Sequence, residues 1–327
     1  MITRRSLLLS SVAAGTAALL RNTEFLVAGA SQPSTAVNFA VPAGACDCHT
    51  HIFGDPKQFP WFAGRTYTPE PASVAEMRAL HRALHMDRVV IVNPSVYGSD
   101  NACTLDAMKK LGPRARGVAV IDDKTSAGQL DDMAHAGIRG IRLNFETFGQ
   151  TNPDATRKAF DQAVDRVAGR KWHIQMYTRL PVIEGLHNQI MAAPVPSVFD
   201  HFGGAGAEQG TSQRGFDAMM DMLRAGKAYV KISGAYRIST KAPDYPDAAP
   251  LAKALIAANV ERVIWGSDWP HPAGAPLAGH TAADIAPLLQ IDDGRLLDQL
   301  PVWAPDAAQR KTILVENPAR LYGFSTA

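Results

Sequence analysis

The sequence predicts an α/β protein built as one domain, a (β/α)8 TIM barrel. Three observations lead there. Short β-rich runs alternate with amphipathic helical patterns about eight times, polar residues gather at the C-terminal ends of those runs, and no glycine-rich phosphate turn follows the first run. An open doubly wound sheet would need that turn. Length agrees, because a barrel of this kind commonly runs to about 250 residues or more as one unit, and the chain has 327.

Before the first strand, Thr3-Arg4-Arg5-Ser6-Leu7-Leu8 and the Ala-rich apolar stretch to Leu20 predict a twin-arginine signal peptide over residues 1–30, with a small-x-small cleavage site at Ala28-Gly29-Ala30. The apolar run carries Ser10, Ser11 and Gly15 and is too short for a stable membrane span. Residues 31–43, bearing Ser, Pro and Thr, read as linker, and residues 44–327 as the barrel. The expected partner is the twin-arginine export machinery and the expected location periplasmic or exported. Cys46, Cys48 and Cys103 imply no disulfide framework, which suits a protein folded among reduced thiols before export. With 33 Lys and Arg against 31 Asp and Glu and no block of like charge, the composition disfavours nucleic acid as a partner.

The strands expected in order are Ala45–His51, Arg88–Asn93, Gly117–Ile121, Gly137–Leu143, Trp172–Tyr177, Ser197–His201, Ala228–Ser233 and Arg262–Ser267. Between the first two, Ser73 and Glu76 make a capping box, and Met77, Leu80 and Leu84 share one helical face. Phe160, Val164 and Val167 repeat that pattern before the fifth strand, and Met219, Met222 and Leu223 before the seventh.

In a barrel, side chains at the C-terminal strand ends converge on one pocket. That rule selects His49 and His51, Asn93 and Ser95, Arg142 and Asn144, Tyr177, Asp200 and His201, Arg237, and Asp268. His49 and His51 alternate, so both imidazoles leave one face of the strand together, with Cys48 and Thr50 expected on the other face against helices. Such a pair binds a metal, polarises a carbonyl or is simply structural.

The motif Asp47-Cys48-His49-Thr50-His51-Ile52-Phe53-Gly54 resembles the opening of the amidohydrolase-related family of the amidohydrolase superfamily. Within that family it is similar to the branch containing 2-pyrone-4,6-dicarboxylate lactonase. Further matching pieces are Pro94–Asn101, Gly140-Ile141-Arg142, Asp200-His201-Phe202-Gly203, Val230-Lys231-Ile232-Ser233, Trp265–His271 and Asn317–Phe324. They span the whole mature chain in order.

The resemblance implies a hydrolase that opens a lactone of a small carboxylic acid. Asp268 would take a proton from water, and His49, His51 and His201 would steady the charge on the carbonyl oxygen. Arg142 and Arg237 would hold a substrate carboxylate, with Ser95, Tyr67 and Tyr177 adding contacts at the mouth. A lactone isomerase and a mononuclear-metal amidohydrolase or decarboxylase are the alternatives within the same scaffold. A barrel that binds a small acid without turning it over is the rival from outside enzymology.

No cofactor is required by this reading. The metal-dependent relatives carry a histidine at the end of strand five, where this chain has Tyr177, and the two-metal forms add a lysine or glutamate at strand four, where it has Arg142. One Zn²⁺ on His49, His51 and Asp268 is the alternative. The dicarboxylate lactonases would also carry two further arginines. Here those regions read Glu146-Thr147-Phe148-Gly149 and His201-Phe202-Gly203-Gly204, which favours a lactone with one acid group, or a sugar-acid or aromatic-degradation lactone with different decoration, over a dicarboxylate held at both ends. Among the remaining histidines, His81, His85, His135, His187 and His280 read as solvated. His271 either orients a site group or braces its Pro-flanked turn, and Trp269, Phe53 and Tyr97 either wall the pocket or brace loops.

Overall fold

The structure, a computed structural model, describes residues 29–325, so the expected signal segment lies outside the described residues except for its last two. Eight parallel strands follow: β1 (Cys46–Thr50), β2 (Arg88–Val92), β3 (Ala115–Ala119), β4 (Ile138–Asn144), β5 (His173–Tyr177), β6 (Ser197–Phe199), β7 (Ala228–Ser233) and β8 (Val263–Gly266). Each pairs with the next in chain order. Between β8 and β1 the ring closes by a short seam just beyond β8. There Asp268 N donates to His49 O and His51 N to Trp269 O, both at 2.8 Å. The result is the single-domain (β/α)8 barrel that the alternation predicted.

The strands are buried on both faces, which is why β2 reads Val-Val-Ile-Val without alternation. Outward residues such as Val89, Ile91, Ile174 and Val230 pack under the helices. Inward residues Val90, Val92, Val118, Val198 and Ile264 form the lower interior, which Tyr322 and Phe324 close from below. The guanidiniums of Arg88 and Arg116 lie over the Phe324 ring, 5.4 and 4.7 Å from its centre. Cys46 and Cys48 join this interior cluster. The expectation that Cys48 packs against helices is therefore corrected. The register of β1 shifts between Asp47 and Thr50, so simple alternation fails there.

The helical layer comprises α1 (Val74–Ala83), α2 (Ala102–Leu111), α3 (Ala127–Ala136), α4 (Pro153–Val167), α5 (Phe216–Arg224) and α6 (Ala249–Asn259), with two shorter helices between β5 and β6. The capping box of Ser73 and Glu76 is present at the start of α1. After β8 come α7 (Asp293–Asp298) and, near the chain end, α8 (Asn317–Tyr322). No helix among the described residues is long and apolar enough to cross a membrane.

Residues 31–43 carry no helix or strand and run along α7. The hydroxyls of Ser34 and Thr35 donate to Asp292 at 2.7 and 2.6 Å, Asn38 N donates to Asp298 at 2.8 Å, and Trp269 Nε1 donates to Ser31 O at 3.0 Å. At the opposite end of the barrel from Phe324, Thr68–Pro69 and Ile285–Ala286 pair in parallel and join the loops that follow β1 and β8.

Candidate active site

The seam delivers the central residues. β1 ends in His49 and His51, whose Nε2 atoms lie 3.3 Å apart. Just past β8, Asp268 places Oδ1 at 3.6 Å from His49 Nε2 and 3.8 Å from His51 Nε2. That oxygen is buried and has no hydrogen-bond partner. The other, Oδ2, takes hydrogen bonds from the Tyr236 hydroxyl at 2.7 Å and from Arg237 Nε, and lies 3.7 Å from His201 Nε2. Asp268 and His201 both adopt left-handed backbone, with φ of 67° and 48°, a strain that clusters at working sites. Gly234 makes the approach possible, since a Cβ there would come within 3.0 Å of His201 Nδ1 and 3.3 Å of Asp268 Oδ2.

Above this floor lies a cavity of about 240 Å³. His51, His201 and Asp268 reach its base, and Tyr67, Ser95, Arg142, Tyr177 and Arg237 line its walls. Of the residues selected at the strand ends, His49, Asn93 and Asp200 do not border the cavity, His49 and Asp200 lying one layer beneath it. The Arg142 guanidinium lies 5.3 Å from the Tyr177 ring centre, and Tyr177 meets His201 edge to face at 5.3 Å. Glu146 also lines the rim, where Arg179 clamps both its oxygens. Asn93, at the end of β2, bonds Thr104 on α2 instead of facing the cavity.

The electrostatics separate the roles. Burial alone would raise the Asp268 carboxyl, but the Arg237 guanidinium, together with the neighbouring His201, His49 and His51, outweighs it and holds the carboxyl well below the usual range. Burial, reinforced by nearby cations, pushes His51 down to about 3 and His201 down to about 4, and lowers His49 as well. At neutral pH the site is therefore an ionised carboxylate among neutral imidazoles.

Beneath the floor is a network in which the strand-end rule selected Arg142 and Asp200 but passed over Lys231 and Gln175. Lys231, fully buried, donates to Gln175 Oε1 at 2.8 Å and lies 3.2 Å from His49 Nδ1. Asp200 Oδ2 accepts from Arg142 Nε at 3.2 Å and Gln175 Nε2 at 3.1 Å. A lysine between apolar residues of a strand buried on both faces was the available sign. Tyr236 was also missed, and it explains His271, which places Nδ1 3.2 Å from the Tyr236 hydroxyl and Nε2 2.9 Å from Asp293. Trp269 and Tyr97 brace loops: Trp269 is bonded to Ser31, and the Tyr97 hydroxyl accepts from Gly54 N at 2.9 Å.

The expectation that His81 is solvated is corrected. It is buried on α1 and its Nε2 lies 3.2 Å from Asp47 Oδ2, a partner that the register shift in β1 turns toward the helices. His85, His135 and His280 are exposed. His173 is buried at the far end against the Tyr322 ring.

His49, His201 and Asp268 each offer a ligand atom within 4.8 Å of the others, close enough to share one metal ion. Around them Asp200 and Asp268 face three cations, Lys231, Arg142 and Arg237.

A barrel that holds an ionised aspartate against strand-end histidines at the base of a small cavity defines a hydrolase of the amidohydrolase kind. The chain belongs to the Amidohydrolase family, whose model matches residues 46–324. It is 35% identical over 295 residues to 4-sulfomuconolactone hydrolase of Rhizobium radiobacter, covering 89% of this chain and 93% of that protein. It is 34% identical to 2-pyrone-4,6-dicarboxylate hydrolase of Comamonas testosteroni, covering 87% and 92%. The crystal structure of Agrobacterium tumefaciens ATU3138 superposes with a TM-score of 0.75 at 26% identity, over 89% of this chain and all of that one.

Proposed function

We propose that this hydrolase opens a small lactone bearing one acid group, using water activated by Asp268 and no metal. The carrying observation is Asp268 itself, ionised by Arg237 on one oxygen and leaving the other unpartnered beside the imidazoles. In the forward step that carboxylate takes a proton from water as the water oxygen bonds to the lactone carbonyl carbon. The His201 imidazole at the floor hydrogen-bonds the carbonyl oxygen as it becomes negative. The ring C–O bond then breaks and the proton passes from Asp268 to the leaving oxygen, giving a ring-opened acid.

Arg142 supports the choice of substrate. Its Nε is committed to Asp200, while its terminal nitrogens have no partner among the described residues and border the cavity. A carboxylate or sulfonate there would meet a guanidinium fork. Glu146 at the rim opposes a second acid group. The relatives named as hydrolases of 4-sulfomuconolactone and 2-pyrone-4,6-dicarboxylate support a lactone as the ring that is opened, while the choice of one acid group rests on Arg142 and Glu146 alone, since the second of those substrates is a dicarboxylate. The test is a panel of lactones with none, one or two acid groups, given to metal-free purified protein, with products identified by NMR. Ring-opened product from the one-acid members is expected. A rearranged lactone would instead favour isomerisation, and activity that appears only with added Zn²⁺ would overturn the metal-free reading.

We also propose that the chain is exported by the twin-arginine route to the periplasm, on the strength of Arg4, Arg5 and the apolar stretch after them. Replacing both arginines by lysine should hold the protein in the cytoplasm, as read by cell fractionation.

A further inference from the structure

Lys231 has no task in the chemistry above, yet it is fully buried and directed at a central histidine. An ammonium has hydrogens to donate and no lone pair to offer. At 3.2 Å from His49 Nδ1, it therefore makes that nitrogen an acceptor. A neutral imidazole with a bare Nδ1 carries its proton on Nε2.

The competing arrangement would put the proton on Nδ1 and give it to Asp200 Oδ1, also 3.2 Å away. That oxygen has no partner in hydrogen-bonding geometry, and Asp200 Oδ2 is occupied by Arg142 and Gln175. The Nε2–H form instead completes one chain of donors. Lys231 donates to His49, His49 Nε2 donates to His51 Nε2 at 3.3 Å, and His51 Nδ1 donates to Val92 O at 2.8 Å. Each nitrogen has one role and none conflicts.

We infer that Lys231 is a positioning residue that fixes His49 as the Nε2–H tautomer, making it a hydrogen-bond donor to His51 at the cavity floor and denying a metal its lone pair. Histidines that bind metals commonly give the far nitrogen's proton to an acceptor, which frees the near nitrogen for the ion. Here the far nitrogen meets a donor, and the logic reverses. The effect on turnover rests on the lactone-opening proposal, whereas the tautomer does not.

The test begins without substrate. In protein labelled with ¹⁵N in its imidazoles, long-range ¹H–¹⁵N correlation assigns each tautomer, with His49 identified by the signals lost in His49→Gln. The protonated nitrogen of His49 is expected to be Nε2, and finding a bare Nε2 overturns the inference whether or not any variant folds. Lys231→Met is expected to move the proton to Nδ1, lower kcat about 100-fold with KM within about threefold, and gain Zn²⁺ binding by equilibrium dialysis. Lys231→Gln can still donate to Nδ1 and should retain the Nε2–H form and much of kcat. Folded Lys231→Met that keeps the Nε2–H tautomer would refute the assignment. Should no lactone be opened while His49 is Nε2–H, the proposed reaction fails and the tautomer assignment stands.

Discussion

His81 Nε2 lies 3.2 Å from Asp47 Oδ2, and this buried pair ties α1 to the seam where β1 meets β8. The same carboxylate accepts from Ser267 Oγ at 2.6 Å, Ser267 N at 2.9 Å and His49 N at 3.2 Å. Asp47 thus supplies bonds that the irregular ladder lacks, between the residue carrying His49 and the one preceding Asp268. His81→Leu should cost about 1–3 kcal/mol, the range for losing one hydrogen bond to a buried charged group, by urea denaturation, with kcat near wild type. Asp47→Ala strands several donors and should cost more while also lowering kcat. Equal stability of wild type and His81→Leu would remove the structural role given to this pair.

Asp268→Asn removes the proton acceptor but keeps the shape. A drop in kcat of about 10²- to 10⁴-fold is expected, with KM changed little, from steady-state kinetics on the best lactone of the panel. Undiminished turnover would show that another group activates the water.

Arg142→Lys keeps the charge and loses the planar fork. KM for a one-acid lactone should rise about tenfold, the range expected for a lost charge-assisted hydrogen bond, while KM for a neutral lactone stays within about twofold. Parallel rises for both would place Arg142 outside acid recognition.

Activity and stability should part company on acidification. Asp268 is held low by Arg237, and His51 and His201 are held at about 3 and about 4, so the catalytic groups keep their charge states from pH 8 down to about 5. A kcat plateau is expected across that window. Each histidine, however, has a folded pKa below its unfolded value of about 6.5. Its contribution to stability is complete above the unfolded value and is lost as pH falls toward the folded one. His49 and His173 are lowered in the same direction. The melting temperature should therefore fall steadily from pH 7 to pH 4, measured calorimetrically, and a flat profile would contradict the neutral buried imidazoles.

The barrel was legible because eight buried strands and their helices impose a rhythm on hydropathy that no loop imitates. His49, His51, His201 and Asp268 were legible because strand ends point at one place. Side-chain direction across the β1 register shift was not, since alternation assumes a regular ladder; that is how Cys48 and His81 escaped. Lys231, Gln175 and Tyr236 were missed for a different reason. They act through other side chains at a distance along the chain, as Lys231 does on His49, 182 residues away, and sequence spacing carries no trace of such a partner.

The loops around a barrel mouth usually vary one at a time, each free to lengthen or change without consulting its neighbours. Here the two-residue ladder of Thr68–Pro69 with Ile285–Ala286 fastens the loops after β1 and β8 to each other. An insertion in one therefore displaces a paired segment of the other. Attempts to retarget this mouth by recombination should exchange both segments as a unit, because a chimera that swaps one alone inherits half of a fastening.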